Sequence, residues 1–153
     1  MRICAISDTH NLHNYLPNIK ADVLIHAGDI TLGGRIQELI MFNEWLSLQD
    51  TKMNVIVPGN HDFLFERDWD MAVGILTNGV SLNRKTIDVG GLKVYGEPRT
   101  PQFGSYAFNS TPSELKDTWG MAPSGLDILV THGPPSGPGC VPLPGTQAPT
   151  PGI

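Results

Sequence analysis

Two cysteines in 153 residues are too few for a disulfide framework. Cys4 lies in an apolar run, where a buried inert thiol is expected, and Cys140 lies among glycines and prolines. Neither demands a bridge, which fits a reducing compartment. Long apolar runs are missing as well. No segment approaches the ~18 residues of a membrane span, and Arg2 to Ile6 is too short for the apolar centre of a signal sequence. The expectation is a soluble, cytoplasmic protein with no membrane partner. Positive charge is scarce: 10 Lys and Arg stand against 15 Asp and Glu, for a net charge of -5. A broad nucleic-acid surface, which would be basic, is therefore not expected. Apolar residues at 40% and charged residues at 16% describe a globular chain able to bury one core.

What the chain does contain is a series of short apolar runs that end in polar clusters. Arg2 to Ser7 reads as a buried strand, and Asp22 to Ala27 as a second. Arg35 to Leu48 places Ile36, Leu39, Ile40 and Leu46 on one helical face. Asn54 to Val57 is a third strand stopped by Pro58-Gly59, and Phe63 to Leu76 reads as one helix. Strands near Thr86 to Val89 and Leu92 to Tyr95 flank Gly90-Gly91, a hairpin signal. A loop from Pro98 to Ser110, a short helix over Ser113 to Trp119 and a strand from Leu126 to Thr131 follow. Nine of the eighteen residues from Ser136 onward are Gly or Pro. The division expected is a domain over 1–135 and an irregular tail over 136–153. Alternating strands and helices indicate a layered α/β arrangement.

Four strands run into polar clusters: Ser7-Asp8-Thr9-His10, Gly28-Asp29, Gly59-Asn60-His61-Asp62 and His132. If these strands share a sheet, their C-terminal ends form one edge, where open α/β sheets place ligands. Asp8, His10, Asp29, Asn60 and His132 offer carboxylate, imidazole and amide oxygen, a donor set without thiolate that suits Mn, Fe or Zn. Two such ions about 3.5–4 Å apart would neutralise a phosphoester and acidify a bound water. They would also supply the positive charge that this acidic chain lacks. His61 is placed to assist the transition state or protonate a leaving oxygen, and Asp62 to orient His61 by a hydrogen bond.

Asp8-Thr9-His10, Gly28-Asp29, Gly59-Asn60-His61-Asp62 and Thr131-His132-Gly133 together resemble the ordered motifs of the calcineurin-like metallophosphoesterases. Ile6 to His10, Leu24 to Asp29 and Thr131 to Pro135 are similar to a narrower subgroup of small metallophosphoesterase-domain phosphodiesterases. The resemblance covers residues 1 to about 135. It implies a β-sandwich of two sheets flanked by helices. It implies two divalent ions, with Mn favoured, one held by Asp8, His10 and Asp29 and the other by Asp29, Asn60 and His132. Asp29 would bridge them, and His61 would be catalytic. The function implied is phosphodiester hydrolysis by a metal-activated hydroxide on a phosphoester of unspecified class.

One departure stands beside the match. The family's final G-H-x-H motif has no counterpart, because no histidine follows His132. The expectation is a sandwich truncated at its C-terminal side, with at most three protein ligands per metal and partial metal occupancy. An exposed sheet edge would then invite a homodimer. Two other readings stay open: a binding or structural module without turnover, and a truncated fragment. Several residues carry plainer expectations. His26 reads as a satisfied core histidine, and His13 as either a site-mouth or a surface residue. Trp45, Trp69 and Trp119 read as packing residues. Arg99, Phe103 and Tyr106 are candidates to hold a phosphate or base, set against ordinary loop packing.

Overall fold

The structure, a computed structural model, describes residues 1–133; the proposed tail over 136–153, with Cys140, lies outside the described residues. Four parallel strands form the first sheet: β1 (Ile3–Ile6), β2 (Lys20–His26), β3 (Asp50–Ile56) and β4 (Val80–Ser81), in that spatial order. A 3-10 turn (His13–Tyr15) links β1 to β2, and α1 (Ile36–Ser47) links β2 to β3. Two short helices, α2 (Phe63–Arg67) and α3 (Trp69–Ile75), link β3 to β4. The expected single helix over this stretch is interrupted at Asp68, whose φ of −151° leaves the helical region. Its carboxylate accepts from the Met71 N–H at 3.0 Å and so starts α3 afresh.

A second sheet contains β5 (Lys85–Val89), β6 (Leu92–Glu97) and β9 (Ile128–Thr131). β5 and β6 form the antiparallel hairpin expected around Gly90-Gly91, and β9 lies parallel to β6. The late strand therefore does not share a sheet with the first three. It delivers His132 from the opposite layer, so the site forms between sheets. The Pro98–Ser110 loop carries a small two-stranded ladder, β7 (Thr100–Pro101) with β8 (Asn109–Ser110), which the alternation pattern is too short to reveal. α4 (Pro112–Gly120) follows, with Thr111 and Glu114 capping each other's backbone N–H.

The layers follow from the pleat. On β2, Leu24 faces the helices while Val23 and Ile25 face the second sheet; at the end of β3, Ile56 divides in the same way from Val55 and from Val57 just beyond the strand. Because both faces of β2 and β3 are covered where they end at the site, the two strands read there as near-continuous apolar runs. Phe42, Leu39, Trp45 and Leu46 of α1 fill the helical side. Val89, Val94 and Val130 close the other. This is the layered α/β sandwich with flanking helices expected from the sequence.

Two histidines lie within the helical layer. His26 is fully buried; its Nε2 meets Thr9 Oγ1 at 3.0 Å and its Nδ1 accepts from the Gly28 N–H at 3.3 Å. That is the satisfied core histidine expected. His13 is neither a mouth nor a surface residue. It is fully buried against Phe42 and Trp45, and neither ring nitrogen has a hydrogen-bond partner among the described residues.

Candidate metal centre

The site is assembled by two loops that zip together in unusual backbone conformations. Asp8, His10, Asn11 and Asp29 all have positive φ, at 55°, 41°, 66° and 56°. Such residues cost of order 1–3 kcal/mol each unless their surroundings fix them. Here the surroundings do. Asp8 N–H donates to the Gly28 carbonyl at 2.9 Å, His10 N–H to that of Asp29 at 3.0 Å, and Asn11 N–H to that of Ile30 at 3.0 Å. Glu38 at the start of α1 ties down the outer end. Its carboxylate accepts from Asn11 Nδ2 at 2.8 Å, Gly33 N–H at 3.2 Å and Arg35 N–H at 2.8 Å.

Two glycines permit the close approach of the strands. A Cβ on Gly59 would collide with the backbone and carboxylate of Asp29, and one on Gly28, at φ +103°, would collide with the His132 ring. Only glycine lets the two loops and His132 meet at this distance.

Asp29 is the centre of the result. Its Oδ2 lies 3.6 Å from His10 Nε2, and its Oδ1 lies 3.3 Å from His132 Nε2. The His61 N–H donates to Oδ1 at 2.8 Å. His132 Nε2 is also 2.9 Å from Asn60 Oδ1. Two compact donor groups share this carboxylate: His10, Asp29 and His61 on one side, Asp8, Asp29 and His132 on the other. This grouping differs from the pairing that the family resemblance implies. Asp8 stands with His132 rather than with His10, and His61 stands within a donor group.

The imidazoles are oriented by backbone carbonyls. Nδ1 of His10 faces the Thr31 carbonyl at 3.2 Å, Nδ1 of His132 that of Ala27 at 2.8 Å, and Nδ1 of His61 that of Leu32 at 2.8 Å. Each contact places the ring proton on Nδ1 and turns an Nε2 lone pair toward the site. For His132 that lone pair then confronts two further acceptors, Asn60 Oδ1 and Asp29 Oδ1. Three acceptor atoms converging within hydrogen-bond range need a proton or a cation among them. Without an ion, the proton responds. Burial by itself would lower the His132 pKa, but the hydrogen bond and charge of Asp29 outweigh burial and raise it. Burial likewise pushes Asp29 up, but His132 and the His61 N–H prevail and hold its carboxyl below the ordinary range. The donor chemistry and its convergence thus fit hard or borderline divalent cations.

Asp62 does not take the expected place beside the His61 ring. It is buried, and its oxygens accept from Gly59 N–H at 2.8 Å, Ile30 N–H at 3.2 Å, Thr31 N–H at 2.9 Å and Thr31 Oγ1 at 2.8 Å. The Leu32 carbonyl holds the His61 ring instead. Burial pushes the Asp62 carboxyl up, against these donors that stabilise its charge. Asp62 is the clamp between the loop carrying Asp29 and the loop carrying Asn60 and His61. Thr31, which closes that clamp, carried no motif signal in the sequence; nor did the orienting carbonyls, since every residue has one.

Of the residues weighed as substrate contacts, Tyr106 lies beside His61, with ring centroids 5.0 Å apart, and Phe103 stacks on Tyr106. Arg99 points elsewhere: its guanidinium is 3.5 Å from buried Glu97, and it lines a separate cleft with Trp69, Arg84 and Phe108. Among the described residues no helix is long and apolar enough to cross a membrane.

The family model for calcineurin-like phosphoesterases matches residues 1–149. The chain is 32% identical over 160 residues to metallophosphoesterase domain-containing protein 1 of Homo sapiens, covering 89% of this chain and 49% of that protein. Two UPF0046 proteins of Caenorhabditis elegans are each 35% identical, covering 91% and 90% of this chain and 56% and 52% of their own lengths. The chain therefore spans about half the length of the curated relatives it matches.

Proposed function

Because the chain belongs to the calcineurin-like phosphoesterase family, we propose that it hydrolyses phosphodiesters at a dinuclear centre bridged by Asp29. The family's general chemistry is metal-dependent phosphoester cleavage. The observation that carries the finer reading is the Asp29 carboxylate, whose two oxygens serve two different donor groups. In this reading His10 holds one cation, and Asp8, Asn60 and His132 hold the other, with Mn favoured over Fe or Zn. Bound there, the pair would offset the substrate's negative charge and lower the pKa of an attacking water.

The chain's own groups do the rest. The carbonyls of Thr31 and Ala27 hold His10 and His132 with Nε2 turned toward the Asp29 carboxylate, where each would serve a cation. Asp62 fixes the spacing of the two loops. His61 has Nδ1 committed to the Leu32 carbonyl, so the general acid in this reading is the imidazolium form, in which Nε2 also carries a proton and hands it to the departing oxygen, leaving the neutral ring. Loss of such a general acid costs about 10²–10⁴-fold in rate.

The test is release of nitrophenolate from bis(p-nitrophenyl) phosphate under Mn²⁺ titration, with the monoester p-nitrophenyl phosphate alongside. The expected result is metal-stimulated turnover favouring the diester and lost in Asp29→Ala. Nitrophenolate leaves without a proton, so the loss of about 10²-fold or more in His61→Ala is expected on a dialkyl phosphate, whose alkoxide must be protonated, and a smaller loss on the nitrophenyl diester. A folded chain with no turnover above the Asp29→Ala background would leave a binding module in place of an enzyme. Preference for the monoester would overturn the diesterase assignment alone.

A further inference from the structure

Beside the donors of the metal centre lies a cleft of about 220 Å³. Its lining joins Asp8, Asn60 and His132 of the metal centre with Pro101, Phe103 and Tyr106 of the neighbouring loop. The Phe103 and Tyr106 rings are nearly parallel, at 6° with centroids 5.8 Å apart, and Tyr106 in turn leans on His61. Phe103 is 61% exposed. A large aromatic side chain left so bare, and set in register with a second ring beside a catalytic histidine, has an unused π-face at the mouth of the site.

Its position is built. The Asn109 side chain clamps the tip of the loop, accepting from the Phe103 N–H at 3.2 Å and donating to the Phe103 carbonyl at 3.1 Å. At the base, Ala107 N–H donates to the Asn60 carbonyl at 2.9 Å, and Phe108 N–H donates to Glu66 at 2.7 Å. The loop that carries both rings is thus bonded directly to the backbone of Asn60, a donor of the metal centre.

We propose that Phe103 and Tyr106 determine specificity by binding a flat aromatic substituent of the phosphoester while its phosphoryl group lies against Asp8, Asn60 and His132. The proposal rests on the phosphoesterase reading above, and it adds the substrate feature that this reading leaves open. Two parallel rings favour a planar aromatic group over an alkyl chain of equal area, because only the former gains offset stacking on the exposed face. Tyr106 also lies against His61, so the ring pair adjoins the residue that the phosphoesterase reading uses as its acid.

Binding, rather than turnover, separates this proposal from the reading it rests on. Phenylphosphonate, butylphosphonate and methylphosphonate share one anionic head and differ in the group the rings would meet. Calorimetric titration of the Mn-loaded chain should show phenylphosphonate binding about tenfold more tightly than the other two. Phe103→Ala should reduce that preference to about twofold or less, Tyr106→Leu should reduce it too, and Phe103→Trp should restore it. Equal affinity for the three, or a preference that survives Phe103→Ala, overturns the proposal. Equal affinity for phenyl- and butylphosphonate overturns the aromatic assignment and leaves an apolar wall. Binding of none overturns it as well. A phenyl preference that obeys the variants, in a chain that turns over no phosphodiester, upholds the ring pair and sinks the hydrolytic reading.

Discussion

Removing the Asp62 carboxylate should damage the fold more than any motif ligand would. Asp62 accepts four hydrogen bonds, three from backbone N–H groups of Gly59, Ile30 and Thr31 and one from the Thr31 hydroxyl. It is 1% exposed, so water cannot replace it. Asp62→Ala would strand three backbone donors, each costing roughly 1–3 kcal/mol when buried without a partner. Part of that is offset, because the wild-type chain must desolvate a charge at this position. A net loss of about 3–5 kcal/mol remains, a large share of the roughly 5–15 kcal/mol that holds a typical domain together. Asp62→Asn keeps one acceptor oxygen and should lose about 1–3 kcal/mol. Urea denaturation followed by far-UV circular dichroism reads this directly: the midpoint should fall in the order wild type, Asn, Ala, with the slope unchanged. The Asn variant, if folded, should also bind Mn²⁺ about 10–100-fold more weakly, as loss of a supporting group does. A loss below about 1 kcal/mol for Asp62→Ala would refute the clamp.

Other consequences are smaller or more local. Gly59→Ala would press a methyl group on the Asp29 carboxylate and lie 2.8 Å from the His132 ring; Mn²⁺ affinity should drop by about tenfold or more in calorimetry, and an unchanged affinity would contradict the packing described. Burial holds the His26 pKa down to about 3. The unfolded chain, with His near 6.5, binds more protons, so stability is full above that pH and is lost as pH falls toward 3. By pH 5 the loss from His26 alone is roughly 2 kcal/mol; His13, also lowered by burial, adds in the same direction, while His132, raised by Asp29, opposes it. Urea melts of wild type and His26→Leu at pH 7.5 and 5 isolate the effect, and equal pH slopes would count against it. His13→Phe should be neutral or stabilising by about 1 kcal/mol, since it removes two buried nitrogens that have no hydrogen-bond partner among the described residues; destabilisation beyond about 1 kcal/mol in the same melts would count against that. Phe42→Ala, at the fully buried centre of the helical layer, should cost about 3–5 kcal/mol by urea melt, and a cost under about 1 kcal/mol would place the core elsewhere.

Much of this was legible in the chain because the informative residues sit at strand ends. Val23 to Ile25 and Val55 to Val57 are apolar on both faces, as strands covered on both sides require, while β1 is apolar yet exposed along one face; each run stops near a polar cluster. Asp8, His10, Asp29, Asn60 and His132 then converge as the spacing suggests. What failed to show depends on contacts between distant segments. Adjacency in the chain pairs Asp62 with His61, yet its acceptor oxygens serve Ile30 and Thr31, some thirty positions away. Membership of β9 in the second sheet follows from its register with β6, which no local pattern encodes. His13 sits in an otherwise polar stretch, and only the packing of Phe42 and Trp45 shows that it is buried. The break at Asp68 was within reach, since an aspartate three residues before Met71 is a helix-start signal, but the apolar run of Phe63 to Leu76 masks it.

The central claim is that Asp29 bridges two cations, and the most direct measurement is the number of Mn²⁺ ions the purified chain binds, by equilibrium dialysis with elemental analysis, in wild type and Asp29→Ala. The account expects two ions per wild-type chain at saturation and fewer than one in the variant, with circular dichroism confirming that the variant is folded. One ion per wild-type chain, or two retained without the Asp29 carboxylate, would contradict it.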